Sequence, residues 1–112
     1  MLITPKTLKY YVLTDGRIPY LEWFDSLENA LTKQTIDARL VRIRRGLMGD
    51  HRWVGEGVGE FKIDHGPGYR IYFGQAGNRI ILLLCGGDKS TQKHDIDKAQ
   101  SYWADYQRRE RQ

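Results

Sequence analysis

The six residues from Ile80 to Cys85 constrain this chain more than any others. Ile-Ile-Leu-Leu-Leu-Cys is apolar at odd and even positions alike, so a strand built from it needs cover on both faces. Ala76-Gly77-Asn78 precedes the run and Gly86-Gly87 follows it, and clusters of this kind punctuate strands. The run is far too short to span a bilayer, which takes about 20 apolar residues in a helix. It is therefore expected to be a central strand. The rest of the chain must supply the layers on either side.

With 112 residues, the chain is read as one domain covering residues 1–112. Folding at that length hides roughly 65% of the unfolded surface, so no disulfide or metal staple is required. Forty per cent hydrophobic residues with only three prolines exclude a disordered or collagen-like chain. The opening residues Met1 to Lys6 lack the basic, apolar, small-residue layout of a secretory signal. The single cysteine, Cys85, has no intrachain partner, so the expectation is a cytoplasmic protein without membrane contact.

Leu8 to Leu13 reads as a first strand, broken by Asp15-Gly16. Pro19 can open a helix at its first position, where a missing N–H costs nothing. Tyr20, Trp23, Phe24 and Leu27 then share one helical face. A second helix is predicted over Asn29–Arg45, with Ile36, Leu40, Ile43 and Leu47 as its apolar stripe and Gly46 as its cap. Residues 46–59, rich in glycine, read as loop. Phe61 and Ile63 alternate with Glu60, Lys62 and Asp64, the pattern of a half-buried strand. Tyr69–Phe73 forms the next strand after the Gly66-Pro67-Gly68 turn, with Arg70 and Tyr72 on one face. A last helix starts near Ser90 or Thr91 and docks Ile96, Ala99, Trp103 and Tyr106. The order β-α-α-β-β-β-α places the chain in the α+β class, with an antiparallel sheet and two N-terminal helices packed on it.

A net charge of +4 is moderate, but its distribution is uneven. Arg39, Arg42, Arg44, Arg45 and Arg52 cluster on and after the second helix, and such a cluster suits a polyanion such as RNA. The alternative is an ordinary solvated helix face. Cys85 sits in the apolar run, a position of core packing. His51, His65 and His94 lack the close spacing of zinc ligands, so no metal is expected. Gly55-Glu56-Gly57-Val58-Gly59 precedes a strand where a nucleotide fingerprint needs a helix, so no cofactor is called for.

The polar face of the strand meander is more informative. An antiparallel register across the Gly66-Pro67 turn sets Lys62 near Arg70, with Lys89 emerging after the central strand and His94 one turn into the last helix. Cations gathered this way can bind a phosphodiester and stabilise extra negative charge in its transition state. Arginine matches two phosphate oxygens at once. The alternative is that Lys62 and Arg70 only keep a sheet face solvated.

Gly55 to Ile63, Gly66-Pro67-Gly68-Tyr69-Arg70-Ile71-Tyr72-Phe73 and Leu82 to Gln92 resemble the HigB-like, phage-derived branch of the RelE/ParE toxin superfamily. Asp95-Ile96-Asp97-Lys98-Ala99 with Tyr102-Trp103 is similar to that branch as well, so the likeness runs over roughly residues 20–107. It implies a RelE-like α+β fold and the toxin of a type II toxin–antitoxin module. Its partners would be a helix-turn-helix antitoxin, mRNA and the ribosome. RelE-type members cleave mRNA without a metal or cofactor, whereas ParE-type members poison DNA gyrase on the same fold. By resemblance, the catalytic set is Lys62, Arg70, Lys89 and His94. The substrate's ribose 2′-hydroxyl attacks the adjacent phosphate, Arg70 stabilises the charge, and Lys62, Lys89 and His94 move the protons. Arg39, Arg42, Arg44, Arg45 and Arg52 would contact RNA or ribosome through phosphates. A gyrase inhibitor, or a catalytically silent homologue that only binds an antitoxin, remain the alternatives.

Overall fold

The structure is a computed structural model that describes residues 3–112. Strand β1 (Thr7–Tyr10) leads into helices α1 (Pro19–Ser26) and α2 (Ala30–Arg44). Strands β2 (His51–Trp53), β3 (Val58–Ile63), β4 (Tyr69–Ala76) and β5 (Ile80–Asp88) follow, and a 3-10 turn (Lys89–Thr91) feeds helix α3 (Gln92–Glu110). The strands form one sheet in the order β1-β5-β4-β3-β2. The apolar run lies in β5 between two neighbours, and Ile81 to Cys85 are all buried.

Both faces of the sheet are covered, as that run requires. On one face Tyr20 of α1 and Ile36, Leu40 and Ile43 of α2 pack on Phe61, Ile63, Ile71, Phe73, Ile81 and Leu83. On the other, Ala99 and Trp103 of α3 pack on Val58, Tyr72, Leu82, Leu84 and Cys85. Burying side chains of this size stabilises by about 1.5–3 kcal/mol each. Trp103 lies directly over Gly74 of β4, where a Cβ would collide with the indole, so the approach of α3 to the sheet needs glycine there. A β-bulge sets Tyr72 opposite Cys85 but Phe73 opposite Leu83. Leu84 is the extra residue, and it joins Cys85 on the α3 side.

The helix boundaries have local causes. Pro19 sits at the first position of α1. The Asn29 side chain accepts from the Thr32 N–H and caps α2. At its other end Gly46 takes φ +94°, a left-handed cap, while the Gly46 and Leu47 N–H groups donate back to Ile43 and Arg42 carbonyls.

Three expectations need correction. The sheet is mixed, not antiparallel, because β1 runs parallel to β5 with Thr7 opposite Ile80. Helices and hairpins separate these two strands in sequence, so no tight turn dictates their relative sense. Residues 46–59 contain a fifth strand, β2, paired antiparallel to β3. Three exposed residues amid glycines carry too little periodicity to be read as a strand. Leu47 is 46% exposed and does not extend the α2 stripe, because the helix has already ended. Among the described residues, no helix is long and apolar enough to cross a membrane.

Candidate functional site

The β3–β4 pairing places Lys62 directly opposite Arg70, and Arg70 in turn opposite Gly87 of β5. One row further along the same face, Arg52 of β2, Glu60 of β3 and Tyr72 of β4 line up across the sheet. Period-two alternation puts Glu60, Lys62, Arg70 and Tyr72 on the side that α3 covers. Two clefts of about 360 Å³ each open along the Lys62–Arg70 row. One lies under the Gly66-Pro67-Gly68 turn and is lined by Lys62, His65, Arg70 and Lys89 among others. The other is lined by Arg52, Glu60, Lys62, Arg70 and Gln92 with Asp50 and His51. Lys62 and Arg70 belong to both.

Glu60 organises this surface. Its side chain is only 2% exposed, yet it accepts hydrogen bonds from Arg52 Nε and from Gln92 Nε2, each at 2.9 Å. Arg70 Nε stands 3.8 Å away. Burial pushes the Glu60 carboxyl up, but the hydrogen bonds from Gln92 and Arg52 outweigh it and hold the group below its ordinary value. Glu60 is therefore a fixed negative charge at neutral pH. Burial, with the Glu60 carboxylate beside it, pushes the Tyr72 hydroxyl the other way, so Tyr72 stays neutral.

The Arg70 side chain is 9% exposed and anchored by Glu60 and, at 3.3 Å, by the Gly68 carbonyl. Its Nε makes no hydrogen bond among the described residues. A buried guanidinium of this kind is pre-oriented, and it meets an incoming oxyanion at little entropic cost. Lys62 is the more exposed counterpart, with its side chain 45% exposed and 3.7 Å from Asp64. Lys89 is exposed at the rim, and its N–H donates to the Gly68 carbonyl, which ties the end of β5 to the β3–β4 turn.

The structure thus brings together Lys62, Arg70 and Lys89 and leaves out His94, which is exposed and lines neither cleft. Gln92 reaches Glu60, and two residues further along an α-helix the side chain has rotated by about 200°. His94 points away for that reason. Glu60 and Gln92 were not singled out from the sequence. The alternation that paired Glu60 with Lys62 was the available signal for the first.

Arg39 also departs from expectation. It is 7% exposed, and its guanidinium donates to the carbonyls of Lys62 (2.8 Å), Asp50 (2.5 Å) and Met48 (3.1 Å) while lying over the Phe61 ring. With Nη1 and Nη2 held by backbone carbonyls and the side chain buried, it is an internal clamp and not part of a docking face. Arg42, Arg44 and Arg45 are exposed, as a polyanion contact requires. Arg52 is 64% exposed but shares its charge with Glu60. Cys85 is core, and burial, with Asp95 nearby, pushes its thiol up to about 12.

No family model matches the chain. Over 77 residues it is 44% identical to an uncharacterized protein of Haemophilus influenzae. That stretch covers 69% of this chain and 78% of the relative. Identity at that level over most of both chains means a shared fold and common descent, and this chain belongs to the same family as the Haemophilus influenzae protein.

Proposed function

We propose that this protein is the toxin of a type II toxin–antitoxin module, with a RelE-like fold, and acts in the cytoplasm as a ribosome-dependent mRNA endoribonuclease. The observation that carries the reading is the shared cleft in which Arg70, buried and braced by Glu60, faces Lys62 and Lys89. Three cations around one pocket suit a phosphodiester whose negative charge increases during reaction.

In this mechanism the nucleophile is the substrate's own 2′-hydroxyl. Arg70 binds the non-bridging oxygens of the adjacent phosphate and stabilises the charge that builds as the hydroxyl attacks. The 2′-hydroxyl proton passes to solvent as the Lys62 ammonium, opposite Arg70, stabilises the attacking oxygen. Lys89, on the rim, donates to the departing 5′-oxygen. Glu60 does not touch substrate in this scheme. It is a positioning residue that fixes the Arg70 and Arg52 guanidinium groups. Exposed Arg42, Arg44 and Arg45 dock on ribosomal RNA through phosphates, and the ribosome supplies the alignment that an open cleft lacks. An antitoxin with a helix-turn-helix domain is the expected partner.

The test is tightly induced expression with growth and mRNA 5′ ends followed together, alongside Arg70→Ala. Growth arrest with new cleavage sites is expected. Arg70→Ala should lose about 2.7–4 kcal/mol of transition-state stabilisation, 100-fold or more in rate. Arrest without cleavage transfers the reading to a gyrase inhibitor. Absence of arrest leaves a homologue that only binds the antitoxin.

A further inference from the structure

Strand β2 is the outermost strand of the sheet, and all three of its residues, His51-Arg52-Trp53, are exposed. Trp53 is 56% exposed, an unusual position for so large an apolar side chain. It is nevertheless braced. Its ring lies 5.5 Å from that of Phe73 and 6.5 Å from that of His51, the latter edge-on at 87°. Phe73 is fully buried, so one side of the indole is supported by core while the rest faces solvent.

The backbone beside Trp53 is also open. Val54 N–H donates to Val58, and Lys62 N–H donates to Asp50. Antiparallel pairing alternates, so the N–H and C=O groups of His51 and Trp53 point off the free edge of β2. Arg52, between the two aromatics, turns to the opposite face and meets Glu60 in the wall of the cationic cleft. Trp53 lies two strands across and three residues along from Arg70, about 14 Å in the plane of the sheet by ordinary strand spacings, with its side chain on the opposite face from Arg52, Lys62 and Arg70.

We infer that the free edge of β2 is a nucleobase platform for single-stranded RNA, with Trp53 as the stacking surface. This rests on the ribonuclease reading and extends it by assigning a base-binding site around the sheet edge from the phosphate site. A strand whose phosphates lie against Arg52, Lys62 and Arg70 passes over the outermost strand. It lays a neighbouring base on the indole, with the outward amide groups of His51 and Trp53 beside it. A cationic groove joined to an aromatic face is the general arrangement for holding single strands, and stacking accepts any base. Charge favours this occupant over a neutral peptide strand, because Arg52, Lys62 and Arg70 outnumber Asp50 and Glu60 in the cleft beside the edge.

The experiment uses the intact protein with a 2′-O-methyl oligoribonucleotide, which cannot supply a nucleophile, and an abasic strand with the same number of phosphates. Binding is read by anisotropy of labelled strands and by tryptophan emission. The base-bearing strand should quench emission in the wild type and bind about tenfold more weakly to Trp53→Ala. Trp53→Tyr should keep most of the affinity, and the abasic strand should bind wild type and Trp53→Ala equally. Equal affinity of wild type and Trp53→Ala for the base-bearing strand overturns the platform, as does quenching that persists in Trp53→Ala. If Arg70→Ala still abolishes mRNA cleavage in that case, only the platform falls. If the wild type neither cleaves mRNA nor binds either strand, both readings fall.

Discussion

Arg39 of α2 donates from Nη1 to the carbonyl oxygen of Lys62 at 2.8 Å, so the helix beneath the sheet holds the strand that presents the cleft's exposed lysine. The same guanidinium holds the Asp50 and Met48 carbonyls, which fixes the segment leading into β2. One side chain thus ties together a helix, a connection and a strand. Arg39→Met keeps the aliphatic stem and removes the donors. It should destabilise by on the order of 2–3 kcal/mol in urea melts, because buried carbonyls lose charged partners.

Reversing charge at Arg42 and Arg45 should behave oppositely. Both are exposed, and their substitution should shift stability by no more than about 0.5 kcal/mol. On the ribonuclease reading it weakens association with ribosomal RNA and lowers the log–log salt slope by about 1.5, the value for two lost phosphate contacts. An unchanged slope removes these residues from the docking face.

Glu60 sets an acid limit. Its carboxyl is held below the ordinary 4.5 in the folded chain, so the unfolded chain binds its proton first as pH falls. The stability it contributes is fully present above pH 4.5 and is lost as pH drops through the lower, folded value. Urea midpoints measured from pH 7 to pH 3 should therefore fall more steeply for wild type than for Glu60→Gln. Parallel curves would mean that the hydrogen bonds from Arg52 and Gln92 do not favour the ionised form.

Cys85 should be chemically silent. Burial raises its thiol to about 12, so little thiolate exists at pH 8 and reagents cannot reach it. A thiol-reactive dye should label the denatured chain fully and the native chain negligibly over the same time. Rapid native labelling would place the residue outside the core.

Gly74→Ala should be costly although it adds one methyl group. A Cβ there enters the Trp103 indole, and the resulting overpacking should cost about 1–3 kcal/mol. Pairing it with Trp103→Leu, which makes room, should recover part of the loss. That recovery would show that α3 docking is limited by this one contact.

Much of this architecture was legible locally. The doubly apolar run Ile80–Cys85 required cover on both faces, and α1 with α2 on one side and α3 on the other provide it. The Pro19 start of α1 and the Gly46 cap of α2 followed from residue chemistry, and the Lys62–Arg70 pair followed from alternation across a short turn. Such features depend on neighbours within a few residues, where period and turn chemistry are decisive. The parallel sense of β1 against β5 and the recruitment of β2 to the edge depend on elements distant in sequence. The fates of two charged residues were likewise decided by tertiary packing. Arg39, read as an RNA or ribosome contact, is drawn inward because three backbone carbonyls converge where α2 crosses the β2–β3 region. His94 is excluded from the cleft because Gln92 takes the helix face that meets Glu60. Hydrophobic patterning assigns a side to each apolar residue, but a charged residue's place depends on which partners the assembled fold brings within hydrogen-bond reach.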